Sequence, residues 1–366
     1  DEGLGECVFT VARKFDELGI DLVEGNRIEI FIADKETVAF DGSNNTGARR
    51  VYSGRITGVR LAIMRYREEV EVRCMGFWVS LGLDVLKSSN QSNLYTRTSG
   101  GVGTTATPQS VDIGAVVRGI MNRYAAENTD APITYTSESV PDVSSSMSYK
   151  FEQRTYREAI QKCLDAAPYG YHSYVDENFL FHFKPISSTP DHKFYFGKHF
   201  ADDLQIERDI TRTRNFLLLY APNASNTYKA YSDGDSILRY GRQIERIVDD
   251  NIQDTTTMDL VGDRFIAQNK DVEVRVTAKI LDSNGEEGRG YDIETIQPGD
   301  TCAFYNFDSS VGALFRENMI ITEVEYTLDY ARITVEPVRF SVADITSRLR
   351  QLVSEDKASG VPETYT

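Results

Sequence analysis

A short pattern occurs near both ends of this chain and restricts the fold more than any other feature. Gly25-Asn26-Arg27-Ile28-Glu29-Ile30, followed by Ile56-Thr57-Gly58-Val59, is echoed by Gly299-Asp300-Thr301-Cys302-Ala303-Phe304, followed by Ile321-Thr322-Glu323-Val324. A further extended run follows each: Leu61 to Met64 and Val70 to Arg73 in the first copy, Tyr326 to Leu328 and Arg332 to Val335 in the second. Each copy reads as a turn, a strand and a hairpin. Two equivalent strand modules predict two similar small β-barrels side by side in space, an arrangement of assembly more often than of catalysis.

The 366 residues exceed what one hydrophobic core usually serves, so about two to four domains are expected. The fold class expected is α+β and β-rich, with the two β-barrel modules flanking a mixed α/β middle region. Residues 1–90 read as the first barrel module, with strands over Gly25 to Ala33, Val51 to Met64 and Glu69 to Val79. Residues 91–107 have the composition of a linker or surface loop, with Gly100, Gly101 and Gly103. Residues 108–203 form the mixed block. There Ile113, Val116, Val117, Ile120, Met121 and Tyr124 fall at helical spacing. Thr155 with Glu158 is a capping box before Tyr156, Ile160, Cys163, Leu164 and Ala167, and Pro168 and Gly170 end that helix. Tyr171 to Val175 and Phe179 to Phe183 then predict a hairpin closed by the three residues Asp176-Glu177-Asn178. Residues 204–340 read as the second barrel module, with strands over Asn215 to Ala221, Ile237 to Ile247 and Val272 to Leu281 and a helical insertion near 257–269. In 341–366 a helix capped by Ser341 carries Val342, Ile345, Leu349 and Leu352 on one side, and a polar tail follows.

Motifs for chemistry are sparse. Counting outward from Glu177 sets His172 opposite His182, but two imidazoles lack a third ligand, and surface histidines are the better reading. The oxygen-rich Asp282-Ser283-Asn284-Gly285-Glu286-Glu287 lacks the closing bidentate Glu of a calcium loop and reads as a hairpin turn. Gly100-Gly101-Val102-Gly103 lacks the Lys and Ser or Thr of a phosphate cradle and reads as a flexible loop. Acid pairs such as Asp202, Asp203, Asp249 and Asp250 are inevitable in a chain with 56 acids and form no recognisable glycosidase pair. Neither a Gly-x-Ser-x-Gly elbow nor a His-Glu-x-x-His helix occurs. No catalytic residue, metal or cofactor is therefore expected. Cys7, Cys74, Cys163 and Cys302 are too scattered to suggest a zinc site or a disulfide framework, and read as small buried hydrophobes.

The net charge of −16 opposes phosphate binding, which needs a basic footprint. No run reaches the ~20 apolar residues of a membrane span, and no signal peptide is evident. Charge placement differs between the echoes. From Gly25 to Arg73 nine bases face seven acids, a net of +2, with Arg55, Arg60 and Arg73 among a cluster of arginines. From Tyr291 to Glu336 two bases face nine acids, a net of −7, including Glu323, Glu325 and Asp329. If such modules alternated around a ring, unlike neighbours would attract and like neighbours repel, fixing the register. Arg55, Arg60, Arg73, Glu323, Glu325 and Asp329 are the candidates for pore or ring contacts.

Two strand modules bracketing a mixed middle, with Gly25 to Ile32, Val51 to Arg73 and the return from Pro298-Gly299-Asp300 to Glu336, resemble the baseplate hub or tail-tip proteins of bacteriophages. The resemblance rests on the order of elements and on matching strands such as Ser53 to Val59 and Met319 to Val324, and no site residues carry over. It implies a homotrimeric ring in which two barrels per subunit give six around a pore, matching a sixfold tail tube to a threefold tip. Similar hubs occur in contractile injection machines and gene-transfer particles. The partners implied are tail-tube or distal tail adaptor proteins, the tape-measure protein and other tail-tip or baseplate proteins. DNA would pass without specific binding, and the location would be the virion, assembled in the host cytoplasm. Some family members continue into a peptidoglycan-cleaving domain, which is expected to be absent or removed here. The alternatives are a peptidoglycan-degrading tail enzyme and a glycan-binding tail module using Tyr169, Tyr171 and Tyr174.

Overall fold

The repeated pattern folds into two curled half-barrel sheets of the same topology, with a mixed α/β body between them in sequence. The computed structural model describes residues 6–11, 22–32, 49–63, 68–86, 93–97, 101–104, 107–128, 133–176, 178–187, 189–200, 204–225, 227–282, 290–306, 319–327 and 329–337. The helix and tail expected beyond Ser341, the acidic turn at 283–287, Gly100, and Asp202 and Asp203 lie outside the described residues.

The first sheet comprises β1 (Glu6–Val11), β2 (Arg27–Ile32), β3 (Arg49–Ile63) and β4 (Glu68–Gly76), all antiparallel, in the order β1-β4-β3-β2. Alternation turns Val70, Val72 and Cys74 of β4 inward onto Ile56 and Leu22, and Cys7, Phe9, Ile28 and Val59 close around them. The strand expected to reach Val79 stops at Gly76, because Phe77 and Trp78 turn into the middle core through a short 3-10 turn.

The middle body begins with α1 (Ser80–Leu83), β5 (Asn93–Arg97), β6 (Gly101–Gly103), β7 (Val111–Asp112), α2 (Ile113–Glu127), β8 (Ser146–Met147) and β9 (Lys150–Glu152). Residues 93–103, expected within a linker, contain a strand pair that buries Leu94, Thr96 and Val102. Gly101 does not make this stretch loose. At φ +85 it lets β6 lie directly on α2, where a Cβ would come within 2.6 Å of the Ala115 carbonyl oxygen. The Asp112 carboxylate caps α2 by accepting from Ala115 N at 3.1 Å, and it also accepts from the amides of Val143 and Ser144.

Next come α3 (Tyr156–Ala166), β10 (Tyr171–Val175) and β11 (Phe181–Pro185). The capping box is present: Thr155 accepts from Glu158 N, and Glu158 accepts from Thr155 N. Trp78 stacks on Phe181 with centroids 5.7 Å apart. The hairpin register differs from expectation. Val175 pairs with Phe181, so five residues close the loop and His172 stands opposite Lys184, with Tyr174 opposite His182. The longer loop arises because Asp176 accepts from the amides of both Asn178 and Leu180 while Phe179 takes φ +65.

After β12 (His192–Tyr195) and β13 (Gln205–Asp209) the chain makes β14 (Phe216–Tyr220), β15 (Lys229–Ser232), α4 (Gly234–Tyr240), β16 (Ile244–Val248) and α5 (Thr255–Asn269). The strand expected over 237–247 is thus a helix followed by a strand. Asp233 caps the helix by accepting from Ser236 N, and Gly241 at φ +75 ends it. Residues 214–269, expected within the second module, instead turn Leu217, Leu219, Tyr231, Met258, Phe265 and Ile266 into the middle core. Arg264 of α5 is buried there and donates to the carbonyls of Ala167 (2.7 Å), Pro168 (2.6 Å) and Tyr171 (2.9 Å), closing the C-terminus of α3.

β17 (Glu273–Leu281), β18 (Thr301–Tyr305), β19 (Met319–Tyr326) and β20 (Tyr330–Pro337) complete the second sheet, in the order β12-β18-β19-β20-β17-β13. Its core is Phe194, Phe200, Val276, Ala278, Ile280, Cys302, Phe304, Ile321, Ile333 and Val335 among others. No helix among the described residues is long and apolar enough to cross a membrane.

Candidate assembly surface

Strand for strand, β1, β2, β3 and β4 match β17, β18, β19 and β20, and the match extends to individual backbone atoms. Gly25 has φ +90 and Gly299 φ +98. Gly25 N donates to Ile56 O at 2.8 Å and Ile56 N to Asn26 O at 2.9 Å; Gly299 N donates to Ile321 O at 2.7 Å and Ile321 N to Asp300 O at 2.9 Å. A β-bulge follows at the same place, between Ile56 and Gly58 in β3 and between Ile321 and Glu323 in β19. The extra residue is a threonine in both copies. Thr57 Oγ1 donates to Arg73 O at 3.2 Å, and Thr322 Oγ1 to Thr334 O at 3.1 Å, so each hydroxyl bonds across to the neighbouring strand at the bulge.

Two additions distinguish the copies. The second sheet is lengthened at one edge by β12, parallel to β18, and at the other by β13, antiparallel to β17. One cross-strand pair also has inverted charge: Arg60 opposite Glu71 in the first sheet is matched by Glu325 opposite Arg332 in the second.

The six candidate residues are all exposed. Arg55 points at the middle body, with its guanidinium 5.7 Å from the centroid of Phe77 and Nη1 donating to Gly25 O at 3.4 Å. Arg73 pairs with Glu71 of its own strand at 2.9 Å. Glu323 and Glu325 share the outer face of β19 with side chains 65% and 60% exposed, and they meet Arg275 (3.4 Å) and Arg332 (2.9 Å). Asp329 lies in the turn before β20, where its carbonyl accepts from Asp282 N at 3.0 Å. From outside the stretch 291 to 336, β17 adds Arg275, Lys279 and Glu273 to this face, and β13 sets Glu207 opposite Arg275 and Asp209 opposite Glu273.

A junction that the sequence did not suggest joins the modules. Phe179, at the hairpin tip, is buried under the guanidinium of Arg27 (4.2 Å to the ring centroid), with Arg50 at 5.4 Å and the Phe77 ring edge-on at 5.0 Å. Arg50 Nη1 also pairs with Glu29 at 3.1 Å, and Nη2 donates to Asn178 Oδ1 at 2.6 Å. From the second module, Gln297 Nε2 donates to the Arg50 carbonyl at 3.2 Å, and Gly299 lies against the Tyr174 ring. The signal available in sequence was the Asp176-Glu177-Asn178-Phe179 turn, whose partners are more than a hundred residues away.

The histidines are internal rather than superficial. His192 is buried, with Nε2 2.8 Å from Asp300 Oδ2 and Nδ1 3.0 Å from Tyr291 Oη, and His199 is buried beside it. His182 Nε2 meets Asp176 at 3.0 Å. His172 stacks on Tyr174, which stacks in turn on His182. Burial, and then the charge of Lys184, push His172 down to about 4. Among the described residues no three His, Cys, Asp or Glu side chains come together as a metal site.

The architecture is similar to that of solved tail proteins, two of them from prophages. It is similar to the 43 kDa tail protein of prophage MuSo2 from Shewanella oneidensis, with TM-score 0.57 and 12% identity over 91% of this chain and 89% of that chain. It is also similar to a tail protein from Neisseria meningitidis MC58, with TM-score 0.51 and 10% identity over 91% and 92%. Prophage tail protein gp18 from Listeria monocytogenes EGD-e aligns over 95% of this chain and 92% of its own, with TM-score 0.49 and 12% identity. No family model and no curated protein sequence matches the chain. At these identities the likeness is one of fold.

Proposed function

We propose that this chain is the hub of a phage tail tip or baseplate, three copies of which close into a ring of six alternating modules that caps the tail tube and leaves a channel for genome ejection. The observation that carries this reading is the duplication: two sheets with the same order, the same bulge and the same turn glycine, held against each other within one chain. A threefold object meets a sixfold tube most simply when each subunit offers the tube two near-equivalent surfaces. The extra strands β12 and β13 make the two surfaces distinguishable, and so does the inversion of Arg60 and Glu71 into Glu325 and Arg332. Distinguishable neighbours favour alternation over a ring of like modules.

Arg60, Arg73, Glu323, Glu325 and Asp329 are the residues assigned to ring or pore contacts, and Arg55 contributes through the internal junction. The partners are two further copies, tail-tube or distal tail adaptor proteins, the tape-measure protein and neighbouring tail-tip proteins. A trimer carries three times −16, or −48, which disfavours DNA adhering to its channel, so the genome passes without specific binding. The location is the virion, assembled in the host cytoplasm, and the role needs no turnover chemistry.

Light scattering tests the reading. The chain, at high concentration or with tail-tube protein, is expected at three times 41.2 kDa. Reversing Glu323→Lys with Glu325→Lys is expected to lower the trimer fraction roughly tenfold in low salt, less in high salt. A trimer indifferent to the reversal removes β19 from the contact. A monomer under every condition removes the hub.

A further inference from the structure

Cys7 on β1 and Cys74 on β4 are direct cross-strand partners in the first sheet. They are 67 positions apart in sequence, and only the register brings them together. Partners across an antiparallel pair share a face, and both side chains belong to the same small core, with Cys74 buried and Cys7 half-buried. Directly opposed residues have Cα atoms about 4.5 or 5.5 Å apart, and both values fall inside the window of about 4.4–6.8 Å that a disulfide spans. The second module is informative at the equivalent place. Val276 stands opposite Val335 there, and both are fully buried. One copy of the module thus fills this layer with two inert side chains, and the other fills it with two thiols of similar bulk. The remaining cysteines, Cys163 and Cys302, are fully buried in two other cores and have no cysteine neighbour among the described residues.

We propose that Cys7 and Cys74 form a disulfide that clamps the edge strand β1 to β4 once the protein meets a disulfide oxidant. Both S–H bonds break and one Sγ–Sγ bond forms. The two protons and two electrons pass to an oxidised disulfide such as glutathione disulfide, which leaves as two thiols. The half-buried Cys7 is the point of attack and Cys74 resolves the mixed disulfide. Both thiols are pushed up by burial, Cys7 to about 12 with a further push from Cys74, and Cys74 to about 11. Little thiolate exists at neutral pH, so the bond forms slowly and its rate rises roughly tenfold per pH unit between 7 and 9. This inference stands on the register alone and does not depend on the hub reading.

The test is intact-mass and non-reducing peptide mapping of the full chain, folded, before and after glutathione disulfide at pH 8.5. The expected product is lighter by two hydrogen atoms and yields one cross-linked peptide joining Cys7 to Cys74, with Cys163 and Cys302 free. The variant Cys7→Val with Cys74→Val, which copies the second module's pair, is expected to fold, to keep its mass and to show no change in melting midpoint on oxidation. The parent is expected to gain roughly 5 °C. A chain whose Cys7 and Cys74 both stay free, or end as glutathione adducts, overturns the bond. A parent whose midpoint ignores oxidation overturns the clamp.

Discussion

Gly25 and Gly299 occupy one backbone position in two copies of a module, and both adopt a φ that side chains with a Cβ avoid. A methyl group at Gly25 would meet nothing within 4 Å, and at Gly299 it would meet the Tyr174 ring first, at an ordinary contact distance of 3.7 Å. The cost of alanine is therefore conformational. Gly25→Ala and Gly299→Ala are each expected to destabilise their sheet by roughly 1–2 kcal/mol, measured as an earlier loss of β signal on heating. Equal costs at the two sites would show that the repeated turn has the same physics in both copies. His172 gives a second prediction at this scale. Its folded pKa of about 4 lies below its ordinary value near 6.5, so between those values the unfolded chain takes up a proton that the folded chain refuses. The stability associated with neutral His172 is complete above pH 6.5 and is lost as the pH falls toward 4. Unfolding at pH 5 is expected to need roughly 1–2 kcal/mol less than at pH 7, and His172→Phe, which keeps the stack on Tyr174, is expected to flatten that slope. An unchanged slope in the variant would assign the acid sensitivity elsewhere.

Elements in this fold depend on distant partners as much as on their own residues. α3 has a capping box at its start, but its end is closed by Arg264 from α5, almost a hundred residues later. Arg264→Met leaves three carbonyls without their donor and is expected to cost roughly 3 kcal/mol or more, read from the fluorescence of Trp78, the single tryptophan, in the middle core. Arg264→Lys should recover only part, since an ammonium cannot reproduce the planar fork. The same dependence explains what was legible in sequence. α2 and α3 could be read because cap and apolar stripe are local. The helix α4 was not legible because its apolar residues are few, and only the Asp233 cap and the Gly241 stop mark it locally. The hairpin register lies two residues from the expected one because Phe179 adopts a positive φ, which its residue type does not advertise. Gly101 sits in a stretch with the composition of a linker, yet it serves close packing on α2.

At the scale of the whole molecule, the internal echo was the most reliable guide, because a turn glycine, a strand and a bulge threonine are specified by residues close together. How the copies sit against each other was not readable, since that depends on Phe179, Arg27, Arg50 and Gln297, contributed from four separate places. The junction joins two similar sheets with unlike outer surfaces into one unit, and the hub proposal uses that property. Electron microscopy of the purified chain at high concentration, with class averages inspected along the symmetry axis, tests this most directly. A hub shows a threefold ring of six similar lobes around a channel; a particle that stays a compact monomer, even with tail-tube protein added, contradicts that role.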